Sequence, residues 1–336
     1  MNNKFDELTE SLVQSITRVA ALKKCAALAL ALSALAFHQA GGATFTSFDF
    51  PNAIATEVNG ITPSGPLMIV GDYADTSTER GYLLNNGTFT AIVFPGSLYN
   101  QAFAINTNGV IVGDYAVPSA SGNGNTQRGY ALAAGTFTLI DFPGAVFTTA
   151  RGINSQGDIV GTYWTSYGNA NIQYVPPNNT GHGFLLRAGN YSSIDFPGAV
   201  LTDVWRVTDS GQILGRYQSA TDGKNHLFLL TKGVFSSVPD VPGSIETAPA
   251  DVSFGALDGA GNIVGDYADQ TPIMHNFRFG KANGNLRGFL LSGGVYTPID
   301  FPGASVTVAW GLHSSGVIVG TYLDANNAMH AFIRTP

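Results

Sequence analysis

The sequence predicts an all-β protein: a six-bladed β-propeller with four antiparallel strands per blade, closed by its N-terminal strand. Three observations carry this. An Asp-Phe-Pro marker or close variant recurs six times, ending at Pro51, Pro95, Pro143, Pro197, Pro242 and Pro302, at intervals of 44 to 60 residues. A Val-Gly-x-Tyr-like marker follows each, ending at Tyr73, Tyr115, Tyr163, Tyr217, Tyr267 and Tyr322. Finally, the chain after residue 43 opens on one strand too many and ends one strand short. A period of this length with strand character is that of propeller blades.

Residues 1–43 read as a separate element. The apolar run Cys25-Ala-Ala-Leu-Ala-Leu-Ala-Leu-Ser-Ala-Leu-Ala-Phe37 follows Lys23-Lys24 and precedes Gly41-Gly-Ala43. Basic flank, apolar core and small-residue site are the order of a secretory signal peptide, here with a long front and cleavage after Ala43. The 13-residue core is short of the roughly 20 residues a spanning helix needs, so no membrane anchor is expected in the mature chain. Cys25 is the single cysteine. The mature protein would have no thiol, no disulfide and no cysteine nucleophile.

Composition narrows the partners. The 336 residues are 44% hydrophobic but only 12% charged, with a net charge of −7, against about 25% charged residues in ordinary domains. An acidic body without basic clusters does not suit nucleic acid, whose binding rests on neutralised phosphates. The 41 glycines and 16 prolines stand at repeating positions, which argues for tight turns rather than disorder. A single domain over 44–336, a monomer, is expected.

Each unit reads as four short strands. Ala150-Arg-Gly-Ile-Asn154 and its equivalents form the first. Turns such as Asn154-Ser-Gln-Gly157 lead to the second, Ile159 to Tyr163. A loop of variable length precedes the third, Gly183 to Leu186. An x-Gly turn leads to the fourth, Phe137 to Asp141 in the preceding unit. Valine, isoleucine, phenylalanine, tyrosine and threonine dominate, as strands prefer. Thr44-Phe-Thr-Ser-Phe-Asp49 is a fourth strand with no unit before it, and Ala331-Phe-Ile-Arg334 a third with none after it. Pairing them closes the ring and removes two open sheet edges.

Antiparallel order puts the 2–3 and 4–1 connections on one face. That face carries the variable segments Ala116–Gln127, Trp164–Gly181, Gln218–Asn225 and Ala268–Leu286, and loops on a rigid scaffold are where function concentrates. Trp164, Tyr167, Tyr174, Phe277 and Phe279 give two of these loops the aromatic character of sugar or peptide recognition. On the first strand, the residue before the Gly-Ile core differs between copies: Asn59, Phe103, Arg151, Trp205, Gly255 and Trp310. Two residues earlier stand Glu57, Gln101, Thr149, Asp203, Ser253 and Val308. Such variation in a regular array suits a specific site at the central channel, for which the candidate ligand contacts are Asn59, Gln101, Phe103, Arg151, Trp205, Trp310 and Trp164. The alternative is that Trp205 and Trp310 fill space between blades.

An Arg or His precedes each third strand: Arg80, Arg128, His182, His226, Arg287 and His330. With two-residue hairpin turns, the register sets Arg128, His182 and Arg287 opposite Asp141, Asp195 and Asp300, and His330 opposite Asp49. Arg80 meets Val93, and His226 reaches Asp240 only by a one-residue slip. Pairs spread one per blade around a ring cannot converge on one metal. They read as straps between strands, so neither a metal nor another cofactor is expected. Gly-x-Ser-x-Gly and phosphate-loop motifs are absent from the sequence.

Gly135–Ala145 with Gly152–Tyr163, and His182-Gly-Phe-Leu-Leu186 with Ser193-Ile-Asp-Phe-Pro-Gly198, resemble the HAF-family extracellular repeat of bacterial exported proteins, over about residues 44–336. His226-Leu-Phe-Leu-Leu230 and Val238–Asp258 depart from the pattern. The resemblance implies a bacterial source and a secreted protein, extracellular or periplasmic. It brings no substrate and no catalytic residues. The leading expectation is a non-enzymatic binding or scaffold propeller for a glycan or peptide on the long-loop face. The rival is a polysaccharide lyase or glycosidase with Glu57, Arg151, Asp203 and Arg206 at the channel mouth. A structural envelope protein is the third.

Overall fold

The computed structural model describes residues 36–38, 42–118, 125–166, 181–247, 255–269 and 286–336. Tyr167, Tyr174, Ser253, Phe277 and Phe279 lie outside the described residues, as do residues 1–35 and 39–41 of the expected signal peptide. Six antiparallel sheets form a six-bladed propeller. Blades 1 to 4 each run in chain order from hub to rim, with inner strands Ala55–Ile61, Tyr99–Ile105, Phe147–Ile153 and Ala199–Val207. In blade 5 the inner strand is described as Glu246–Thr247 and Ala256–Leu257; in blade 6 it is Val306–Leu312.

Blade 6 takes its outer strand from the other end of the chain. Thr44–Phe48 pairs with Met329–Thr335 in the register Thr44 to Thr335 through Phe48 to Ala331. Ala36–His38, from the stretch read as the leader, pairs outside it. The outer hairpins turn through two residues of positive φ, such as Asn86 (48°) with Gly87 (74°) and Ala134 (46°) with Gly135 (78°). Those are the mirror-image turns that match strand twist, and they fix the predicted register.

The two sequence markers form one packing unit. The phenylalanine that leaves one blade stacks face to face on the tyrosine of the next. Phe50–Tyr73, Phe94–Tyr115 and Phe142–Tyr163 have ring centroids 3.6 Å apart, and Phe196–Tyr217 and Phe301–Tyr322 are at 3.7 Å. Val241 stands in that place before blade 5 and packs in one cluster with Tyr267. A buried side chain pins the same loop from within: the backbone N–H of Phe50 donates to Thr56 Oγ1, of Phe94 to Asn100 Oδ1 and of Phe142 to Thr148 Oγ1.

The marker glycine has a steric cause. A Cβ on Gly71, Gly113, Gly161 or Gly320 would stand 1.9–2.0 Å from the carbonyl oxygen of Glu57, Gln101, Thr149 or Val308 on the inner strand. The ring of Tyr82, Tyr130, Phe184 or Phe332 closes the remaining space. No side chain fits there.

The straps form as the register requires. Arg128–Asp141 is 2.9 Å, His182–Asp195 2.7 Å, Arg287–Asp300 3.1 Å and His330–Asp49 2.9 Å. In blade 4 the N–H of Val238 donates to the Leu227 carbonyl, so Pro239 intervenes before Asp240, which lies 3.0 Å from His226. This is the expected one-residue slip.

Candidate functional site

The inner strands surround the hub, and each fully described one carries a β-bulge at the same place. Pairing slips by one residue at Asn59, Phe103, Arg151, Trp205 and Trp310. A bulge adds a residue and re-aims the backbone around it. The next residue is Gly60, Ala104, Gly152, Arg206, Ala256 or Gly311. Five of the six are glycine or alanine. Only Arg206 sends a long side chain from this position, and its guanidinium reaches the hub. Nη1 donates to the carbonyls of Arg151 (2.8 Å) and Trp205 (2.9 Å), and Nη2 to those of Asn59 (2.6 Å) and Trp310 (3.3 Å). Arg206 therefore ties blade 4 to blades 1, 3 and 6. Burial, and then the nearby Arg151 charge, pull its pKa down to about 10, so it stays charged at neutral pH.

Most of the bulge residues named from the sequence turn away from solvent. Trp205 and Trp310 are each 1% exposed. Trp205 packs with Leu214, Leu227, Leu257 and Phe289 between blades 4 and 5. Trp310 packs with Leu286, Val308, Leu323 and Met329 between blades 5 and 6. Phe103 is buried beneath the Arg151 guanidinium, 4.5 Å from its ring centre, and Arg151 Nε donates to Thr149 Oγ1. Trp164 is part-buried at the end of its strand, opposite Phe147 and Gly181. Asp203 is engaged by Arg216 at 3.4 Å and by the Thr162 hydroxyl. It stands in blade 4, across the hub from Glu57 in blade 1. The structure does not bring these two carboxylates together.

It gathers a different set. Glu57, Asp72 and Glu79, with Ala55, Ala74 and Met329, line a cavity of about 10 Å³ between blades 6 and 1, room for one water molecule. Asn59 Nδ2 donates to Asp72 Oδ1 at 2.6 Å, and Gln101 Nε2 to Glu79 Oε1 at 2.6 Å. Burial, then the charges of Glu79 and Glu57, push Asp72 well above the usual carboxylate range, and it shares a hydrogen bond with Glu79. Sequence reading missed Asp72 and Glu79. Asp72 sits at the variable position of the Val-Gly-x-Tyr marker, and its register partner is Glu57.

The long-loop face also bears an aliphatic rim. Ile54, Leu98, Val146, Val200 and Ile245 stand at the entry to successive inner strands, and Ile54, Leu98, Val200 and Ile245 are 62%, 46%, 43% and 38% exposed. Their backbone is held from the preceding blade: the carbonyls of Leu98, Val146 and Ile245 accept from Thr78, Arg128 and Lys224.

Two raised pKa values give a pH prediction. His330, between Asp49 and Asp324 and stacked on Tyr322, is raised chiefly by its hydrogen bond to Asp49. A base raised on folding stabilises fully below its unfolded pKa, and that contribution is lost as pH rises through the folded one. Asp72, an acid raised on folding, acts in the same direction from the usual carboxylate range upward. Asp158, lowered by Arg187, acts oppositely and only at acid pH. The unfolding midpoint is therefore expected to peak on the acid side of neutrality and to decline through neutral pH. Asp72→Asn should flatten the lower part of the decline and His330→Gln the upper. Thermal melts across the pH range check this; a midpoint rising through neutrality would contradict it.

Among the described residues, no group of three or more His, Cys, Asp or Glu is arranged to hold a metal ion, and no helix is long and apolar enough to cross a membrane. No family model and no curated protein matches the chain. Solved structures do. A Hadza microbial sialidase superposes with a TM-score of 0.51 at 10% identity, covering 84% of this chain and 66% of its own. The β-propeller domain of the Trilobed protease from Pyrococcus furiosus gives 0.42 at 8% identity over 83% and 95%, and TolB from Acinetobacter baumannii 0.43 at 11% over 80% and 63%. At such identities a likeness speaks to fold alone, and of these three only the sialidase superposition is close enough to do so.

Proposed function

We propose that the protein is an exported, non-catalytic binding propeller that recognises a peptide segment on its long-loop face. The observation that carries this is the aliphatic rim. Exposed Ile54, Leu98, Val200 and Ile245 hold the same position in four of the six blades, with the backbone of Leu98 and Ile245 braced from the preceding blade, and exposed apolar sets of this kind mark interaction surfaces. A peptide is favoured over a glycan because the rim is aliphatic, while Trp205 and Trp310, the side chains best suited to stack on sugar, are buried. Export is supported by the leader-like residues 25–43 and by the resemblance of the repeat to the HAF-family repeat.

The test is retention on a peptide array beside a panel of insoluble polysaccharides. Wild-type protein should bind apolar peptides, and Ile54→Asp with Leu98→Asp should cut retention at least tenfold without changing the melting midpoint. Retention on polysaccharide that the double variant keeps would overturn the reading.

The carboxyl set favours a second reading. Glu57, Asp72 and Glu79 beside one water-sized cavity could serve acid–base chemistry on a glycosidic bond presented at its mouth, where a proton donor and a carboxylate work as a pair. Release of reducing ends from a polysaccharide, abolished in Glu79→Gln, would support that reading. An inactive wild type would remove it.

A further inference from the structure

Five of the six inner strands carry glycine or alanine after the bulge residue, and one carries arginine. A Cβ on Gly60 would stand 2.6 Å from the Phe103 carbonyl oxygen, and one on Gly152 2.5 Å from that of Trp205. Blades 1 and 2, and blades 3 and 4, therefore meet at the residue after the bulge, with the carbonyl of the next bulge turned to face it. Carbonyls of Asn59, Arg151, Trp205 and Trp310 converge on a single guanidinium. These acceptors are neutral, belong to four different blades and come from backbone that the bulges hold in place. A set of preorganised carbonyl oxygens around one point is a cation site, whichever cation occupies it.

We infer that the hub is a binding site for a planar organic cation, that Arg206 is its tethered occupant, and that the emptied site takes up a free guanidinium ion. The geometry selects the chemical class. Each terminal nitrogen of Arg206 donates to two carbonyls, with partners on opposite sides of the hub. A guanidinium has the flat fork for this and is weakly hydrated, so it desolvates readily; an ammonium is compact and strongly hydrated. Glycine or alanine at the other five positions leaves no competing side chain. Arg206 is thus the key of the ring: it neutralises carbonyl dipoles that converge on it from four blades.

The experiment is chemical rescue in the full chain. Arg206→Ala should lower the unfolding midpoint by at least about 5 °C, given the four part-buried charged hydrogen bonds it removes. Guanidinium chloride at roughly 10–50 mM, far below denaturing levels, should restore much of that loss with a saturating dose response. The tether's high effective concentration explains the millimolar requirement. Sodium chloride at equal ionic strength and urea should restore nothing. Arg206→Met keeps the stem but not the charge; it should be as destabilised as the alanine variant and resist rescue, because the stem occupies the site. If Arg206→Ala does not fold alone, refolding with and without guanidinium gives the same reading: a compact monomer only with the ion supports the site. Full stability in Arg206→Ala, rescue equal to that by sodium chloride, or failure of guanidinium to recover fold would each overturn it.

Discussion

A chain truncated to begin at Asp49 is expected to lose cooperative folding rather than one strand's worth of stability. Residues 44–48 carry two buried phenylalanines on opposite faces of one short strand. Phe45, 0% exposed, packs with Phe332 and meets Phe301 edge-on at 5.6 Å. Phe48 packs with Tyr82, Leu84 and Phe89 of blade 1. The strand thus stitches blade 6 to the next blade as well as completing its own sheet. Burying each ring contributes about 1.5–3 kcal/mol, against a total stability of about 5–15 kcal/mol for a typical domain. The truncation also bares the edge of Met329–Thr335 and removes the seam into blade 1. Circular dichroism melts and size-exclusion profiles should show a broad transition and aggregation. A sharp transition at the full-length midpoint would show that the ring does not depend on this closure.

Trp310→Ala should cost about 3–5 kcal/mol, the range for emptying a buried aromatic site. Trp310 is enclosed by Val306, Val308, Leu323 and Met329 of its own blade and by Ala268 and Leu286 of blade 5. These are strand positions held by hydrogen-bonded neighbours, so the cavity cannot readily collapse. The control is Val234→Ala on an outer strand, 68% exposed, where a change within about 0.5 kcal/mol is expected. Chemical denaturation measures both. A loss below about 1 kcal/mol together with lost ligand retention would make Trp310 a ligand contact instead of a seam residue.

The strap register shows how far local rules reach. Two-residue turns at Asn86-Gly87 and its equivalents fix which residues face each other, so the pairing of His182 with Asp195 and of His330 with Asp49 was readable from spacing alone. Even the exception was readable, since one extra residue before Asp240 forces the slip. The hub was not. That Arg206 differs from Gly60, Ala104, Gly152, Ala256 and Gly311 is visible in an alignment of the copies, but its partners lie up to 147 residues away.

By itself the sequence determined the blade count, the strand order, the closure by residues 44–48, the turn chemistry and the straps. All of these follow from period-two alternation, turn residues and the covalent spacing of a repeat. Only the tertiary structure decided which side chains the bulges aim into the seams and which reach the axis. It also decided that Glu57 joins Asp72 and Glu79 rather than Asp203. The physical reason is that a bulge breaks the alternation from which facing is inferred, and that contacts across the hub depend on the angle between blades, which no local spacing encodes.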